Sequence, residues 1–210
     1  MAPEVGFLVE IKFGKGVGKV FLPDLKEAKS RLYIVSPWLS ADMAKLVVAK
    51  HEEGVSVKLI TTDSPEPGHI AALSELGKFV KHTSPLCWVG ALVALLGLGI
   101  SAYCYFFFNI GLFVSSILVF LAGLFIYGIG SGRAKYTFQS AIGEGNLLVV
   151  DQSLHAKLYI ADDLVVVGSA NFTISGMFYN IEAVALVKDR EISDKLAKFV
   201  EEVFAEKANA

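Results

Sequence analysis

Residues 154–173 read LHAKLYIADDLVVVGSANFT, two apolar runs separated by Asp162-Asp163 and carrying polar side chains at regular intervals. Leu, Ile, Val and Tyr favour a pleated, half-buried surface, and an Asp pair between two such runs favours a turn. On a strand, residues two apart share a face. Strand geometry over 154–161 therefore turns His155, Lys157 and Tyr159 one way, and Leu154, Ala156, Leu158 and Ile160 into the core. LVVV then returns as the antiparallel neighbour and ends at Gly168, so that Ser169 and Asn171 leave it near the start of the His155 strand. A lone histidine on a strand is usually structural. Here an ammonium, a hydroxyl and a carboxamide converge on it, a set that suits a phosphate. Lys157 supplies charge, Ser169 and Asn171 supply hydrogen bonds, and Gly168 leaves room for close backbone approach. Ser169 serves equally well as a cap of the following turn.

The flanks supply the rest of an α/β domain. FLPDLKEAKS has Phe21, Leu22, Leu25 and Ala28 at helical spacing, with Pro23 tolerated in a first turn. RLYIVS reads as a buried strand, Ser40 as the cap of a helix over ADMAKLVVAKHEE that Gly54 stops, and VSVKLITT as a second strand. This βαβ order predicts parallel strands over 31–62. A further helix is expected over 69–81. Downstream, NLLVVD, the two strands of the opening stretch and IEAVALVK add four more. A helix over 191–206 lines up Ile192, Leu196, Phe199, Val200, Val203 and Phe204. FGKGVGKV lacks the GxxxxGK spacing and the Ser or Thr of a phosphate loop.

Charge is distributed unevenly. The chain has 210 residues, 19 basic and 21 acidic, and a net charge of −2, which neither draws it to nucleic acid nor repels it. Yet Thr83 to Gly132 contains no Asp, Glu, Lys, Arg or His. All 40 charges lie in the other 160 positions, one in four, as in an ordinary globular domain. The uncharged segment holds two apolar runs, about 86–108 and 111–130, meeting at Asn109-Ile110-Gly111. About 20 such residues cross a bilayer as a helix, so a transmembrane hairpin over 83–132 is expected, interrupting a domain formed by 1–82 and 133–210. Lys78, Lys81, Arg133 and Lys135 flank it and place both ends in the cytoplasm, with the plasma membrane as the expected location. Gly90/Ala94, Gly97/Ser101 and Gly111/Ser115 are small pairs that allow close helix approach. Cys87 and Cys104 share one span, which excludes a disulfide between them. MAPEVGFLVEIKFG, with Glu4 and Glu10 and no basic leader, does not read as a secretory signal. Trp38 reads as a packing residue, Trp88 as an interfacial anchor, and His51, His69 and His82 as facing solvent or headgroups.

The pattern His155-x-Lys157, Asp162, Gly168-Ser169-x-Asn171 resembles the HxK…D…GSxN (HKD) signature of the phospholipase D superfamily. Asn180-x-Glu182 is similar to the Asn-x-Glu that often follows it, and SRLYIVSPWLS resembles the family's early strand. The likeness spans roughly residues 20–205. The family usually has six residues between the Asp and the Gly-Ser, and Asp162 leaves five, so this turn is one residue short. The resemblance implies an α/β sandwich with a mixed sheet, here interrupted by the two-helix hairpin. It implies a phosphodiesterase in which His155 attacks phosphorus to give a phosphohistidine, without metal or other cofactor. Lys157 and Asn171, with Ser169, would bind the phosphate. Asp162 is carried over as a catalytic position, and Glu182 as the partner that fixes the His155 tautomer. One motif copy implies a homodimer with a shared site, the second histidine acting as acid.

Three functions follow in order of expectation. The first is a membrane-anchored nuclease acting on DNA or RNA, since single-motif members of this size are mostly nucleases. Lys12, Lys15, Lys19, Lys26, Lys29 and Arg31 would offer it a phosphate-backbone surface. The second is a phospholipid phosphodiesterase or transphosphatidylase, favoured by the bilayer anchor. The third is a non-catalytic membrane scaffold.

Overall fold

The computed structural model describes residues 9–82, 84–106, 110–132 and 135–208. Residues 1–8, Thr83, residues 107–109 (with Asn109 of the expected break) and Arg133 lie outside the described residues, as do the side chains of Lys81, His82 and Lys135. The chain divides into two units, residues 1–78 with 139–210, and residues 79–138.

The first unit is built on a seven-stranded mixed sheet. Its elements in chain order are β1 (Val9–Lys15), α1 (Gly18–Glu27), β2 (Arg31–Val35), α2 (Ala41–Glu52), β3 (Ser56–Thr62) and α3 (Pro67–Leu76). After the second unit come β6 (Leu147–Val150), β7 (Leu158–Ala161), β8 (Leu164–Gly168), α6 (Ile174–Phe178), β9 (Ile181–Lys188) and α7 (Arg190–Ala208). The strand order is β1-β9-β8-β7-β2-β3-β6. β2 and β3 are parallel, as the βαβ reading requires, and β6 extends them in parallel. β7, β8, β9 and β1 follow as antiparallel neighbours.

Both faces of the sheet are covered, which is why its central strands read as apolar runs without alternation. One face packs Leu32, Ile34, Leu59, Tyr159 and Val166 beneath α1, α2 and α6, with Phe21, Tyr159 and Phe172 in ring contact at 5.2 and 5.6 Å between centroids. The other packs Tyr33, Val35, Ile60, Ile160 and Val165 against Ala197, Val200 and their neighbours on α7. Tyr159 is therefore a core residue and not a companion of His155 on an outer face. Its hydroxyl donates to Ala170 O at 2.6 Å, and burial pushes its pKa up. Phe199, expected in the α7 stripe, is exposed, while Ser193 and Ala197 occupy the buried face.

Several boundaries differ from expectation. Regular β7 pairing begins only at Leu158, so His155 and Lys157 lie in the approach to the strand. α1 starts at Gly18, which puts Pro23 inside the helix. Ser40 stands at the N-terminus of α2 but does not cap it; its hydroxyl accepts the Ile174 N–H at 3.3 Å. Gly54 ends α2 as expected, at φ +84°.

The second unit holds α4 (Pro85–Phe106) and α5 (Ile110–Gly132), flanked by β4 (Gly77–His82) and β5 (Lys135–Ser140), which pair as a two-stranded sheet. The helix expected over 69–81 thus stops at Leu76 and gives way to strand. Both long helices are apolar and long enough to cross a membrane. They touch along a glycine seam. A Cβ on Gly90 would lie 2.3 Å from Tyr127 N, one on Gly97 2.5 Å from Phe120 N, and one on Gly123 2.3 Å from Ala94 N. Ser101 and Ser116 hydroxyls meet across the seam at 2.6 Å. Gly90, Ala94, Gly97 and Ser101 all face it, but Gly111 and Ser115 do not: Ser115 is exposed and bonds back to Gly111 O. Cys87 and Cys104 are buried free thiols.

Candidate active site

The β7–β8 hairpin has two ends with different contents. At its open end, Gly168 N donates to Lys157 O at 3.3 Å, so the segment carrying His155 and the segment starting at Ser169 leave the sheet side by side. His155 is exposed, and Lys157 is half-buried with its ammonium donating to His155 O at 2.8 Å. Glycine is required at 168 because a Cβ there would sit 2.2 Å from Ala183 O on β9. Ser169 N donates to the same carbonyl at 2.9 Å. The Ser169 hydroxyl accepts Ala183 N–H at 3.0 Å and donates to the Glu182 carboxylate. Asn180 Nδ2 donates to the other Glu182 oxygen at 3.3 Å.

Glu182 therefore holds Ser169 and Asn180, and not the tautomer of His155. Among the described residues no hydrogen bond reaches the His155 ring. Asn171 leaves Oδ1 buried and unpartnered, the one site-residue atom whose hydrogen-bonding capacity is closed to solvent and unused.

At the closed end sits Asp162, separated from Lys157 by the length of β7, roughly 15 Å at a strand's rise. It adopts φ +51°, the left-handed conformation that Asp tolerates in a tight turn. Its carboxylate accepts from the backbone N–H groups of Lys29, Ser30 and Arg31 at 2.8–3.0 Å and from the Ser30 hydroxyl at 2.7 Å. Partial burial opposes ionisation, but these donors outweigh it and hold the pKa down at about 2. The structure does not bring Asp162 to the other residues; it ties the hairpin turn to the entry of β2.

A support that the sequence reading passed over lies in Ser36–Ser40, the SPWLS stretch after β2. Ser36 is buried, donates to Trp38 O and accepts Phe172 N–H, each at 2.9 Å. Leu39 bridges Phe172, and Ser40 N donates to Phe172 O. His69 is 2% exposed, against the expectation of a solvent-facing ring. Its Nδ1 accepts Leu39 N–H at 3.1 Å and its Nε2–H donates to Thr62 O at 2.8 Å. Trp38 is not a packing residue: it is 42% exposed and with Pro37, Thr62, Ser64 and Leu154 lines a cleft of about 170 Å³ that reaches His155. The sequence signal for all this was a strand followed by two serines around Pro-Trp.

Two of the basic residues near the N-terminus have acidic partners. Arg31 is engaged by Asp194 at 2.7 Å and by Ser193, and Lys12 by Glu10. Lys19 and Lys26 line a separate groove with Phe178.

The family profile described as cardiolipin synthase, PLD-like domain, matches residues 131–204. Among solved structures, the phospholipase D family member Nuc from Salmonella typhimurium superposes with a TM-score of 0.52 at 14% identity, covering 94% of this chain and 93% of that one. NucT from Helicobacter pylori gives 0.49 at 13% identity over 94% and 95%. Phosphatidylserine synthase from Haemophilus influenzae Rd KW20 gives 0.46 at 14% identity, over 92% of this chain and 37% of that one. No curated protein matches by sequence.

Proposed function

We propose that this chain is a phospholipase D superfamily member, a membrane-anchored phosphodiesterase that uses His155 as its nucleophile and acts on nucleic acid; the matching family profile and the shared fold support the reading. The observation that carries the reading is the open end of the β7–β8 hairpin. There the exposed His155, whose ring takes no hydrogen bond among the described residues, lies two positions before Lys157, whose ammonium bonds the His155 carbonyl, and this segment runs beside the one that enters Ser169–Asn171.

In the proposed reaction a neutral His155 nitrogen attacks phosphorus. A P–N bond forms as the P–O bond to the leaving group breaks, and the leaving oxygen takes a proton from a second imidazole. That imidazole then removes a proton from water, which attacks phosphorus and breaks the P–N bond, restoring both rings. Lys157 and Asn171 offset the charge on the non-bridging oxygens. The chain supplies one such motif, so the second imidazole is His155 of another copy, the pair lying about a two-fold axis and titrating as a unit. The apolar row Val9, Ile11 and Phe13 on edge strand β1 supports pairing: it is exposed, and its strand runs beside Ile181 and Glu182 at the site's rim. Glu182 positions Ser169, and Asp162 braces the hairpin.

The hairpin of α4 and α5 is proposed as a two-span anchor, with the catalytic unit in the cytoplasm at the plasma membrane. The basic flanks Lys78, Lys81, Arg133 and Lys135 support that orientation. The same anchor favours a second reading, a phospholipid phosphodiesterase whose site meets headgroups.

The test is cleavage by detergent-purified full-length protein in excess chelator, with labelled single-stranded oligonucleotide and labelled phospholipid side by side. Oligonucleotide cleavage that falls by about 10³-fold or more in His155→Ala supports the reading. Lipid turnover with no oligonucleotide cleavage replaces it with the second, and activity that survives His155→Ala overturns both.

A further inference from the structure

We propose that the cleft between Trp38 and His155 is a nucleobase subsite: the base next to the scissile phosphate stacks on the Trp38 indole while its edge is hydrogen-bonded from the opposite side. This deepens the phosphodiesterase reading and rests on it.

The backbone that carries the indole is held in place on both sides. Ser36 N–H is bound to Ile60 O at 3.0 Å and Ser36 Oγ to Trp38 O at 2.9 Å. Pro37 O receives the Thr62 hydroxyl at 2.7 Å and that of Thr61 at 3.3 Å. Leu39 N–H is taken by His69. The backbone on both sides of Trp38 is thus fixed to β3, α3 and the Phe172 segment, while the side chain stays 42% exposed. A large aromatic kept in the open on a rigid loop loses little freedom on binding a flat ligand. Base–aromatic stacking contributes about 1–3 kcal/mol per base.

The rest of the cleft matches that ligand. Pro37 and Leu154 extend the apolar wall, and Ser64 and Gln152 supply neutral donors and acceptors. About 170 Å³ suits one ring system and falls short of the several hundred typical of larger small-molecule sites. His155 lines the same cleft, so a base seated on Trp38 presents its own backbone phosphate to the imidazole. A quaternary ammonium headgroup is the competing occupant, since it too is attracted to an indole face. Aromatic cages use several rings, and this cleft has one indole and no carboxylate among its lining residues, so the observations favour the base.

Binding is measured on the full-length His155→Ala protein carrying Trp88→Phe, which leaves Trp38 as the only tryptophan. The probes are thymidine 5′-monophosphate, 2-deoxyribose 5-phosphate and phosphocholine. Saturable fluorescence quenching by the nucleotide, absent with the sugar phosphate, is expected. Equal quenching by the sugar phosphate, quenching by phosphocholine alone, or none at all overturns the proposal. In catalysis, Trp38→Ala raises KM for oligonucleotide about tenfold and leaves cleavage at an abasic site unchanged, and Trp38→Phe recovers most of the loss. An unchanged KM, with an unchanged melting temperature to show that the variant is folded, also overturns it. The binding arm needs no turnover, so failure of the phosphodiesterase reading and failure of the subsite are told apart.

Discussion

Asp162 binds three consecutive backbone N–H groups and a serine hydroxyl through one carboxylate, and its pKa is held near 2 as a result. Because the folded pKa lies below the unfolded one, the stabilisation is complete above about pH 4 and is lost as pH falls toward 2. Asp162→Asn keeps the size and the left-handed backbone and removes the charge. It is expected to lower stability at pH 7 by about 1 kcal/mol, allowing for solvent screening. Urea unfolding across pH checks this: the gap between wild type and variant should close between pH 4 and pH 2. Cleavage should stay within about threefold of wild type, since no reacting group is touched; a far larger loss would return Asp162 to the chemistry. Sequence placed this residue only in part. The short spacing to Gly168 marks a tighter turn, but the acceptor role depends on Lys29–Arg31, more than 130 positions away, and no local pattern encodes it. His69 and Trp38 were misread for the same reason, their environments being set by partners distant in the chain.

The elements were more legible where burial is strong. β2, α2, β3, β8, β9 and α7 follow from apolar periodicity because each packs against the core. β1 was missed although Val9, Ile11 and Phe13 alternate with polar residues as on a strand; it is an edge strand, and that apolar row is exposed rather than packed on the core. α6, at five residues, is too short for periodicity to register. The long helices were plain from composition, and their contact face depends on which glycines meet. Gly123→Leu would drive a side chain into the Ala94 backbone and cost about 1–3 kcal/mol of packing. Maleimide labelling in detergent reads this out, because Cys87 is buried and contacts Tyr127 O. Labelling at Cys87 should accelerate about tenfold in the variant. Gly99→Leu, where a Cβ meets nothing within 4 Å, should label at the wild-type rate.

At the scale of the molecule, one unit is assembled from two chain segments separated by an apolar hairpin, and the proposed catalytic residues lie wholly in the second. The strand pairing β2–β7 joins the halves, which is why the early strand and the motif were legible as parts of one sandwich. The proposed shared site would make activity a property of pairs. Co-expression of wild-type and His155→Ala chains in equal amounts should leave about one quarter of full activity, the fraction of dimers with two intact histidines; one half would mean that each chain works alone. The central claim is a covalent bond between phosphorus and His155. Its most direct test is to quench a reaction with oligonucleotide in mid-turnover under alkaline conditions, in which phosphohistidine survives, and to map the adduct by mass spectrometry. The account predicts a phosphoramidate adduct on His155 that carries one oligonucleotide fragment, absent from His155→Ala, whereas full turnover with the adduct on another residue, or on none, would contradict it.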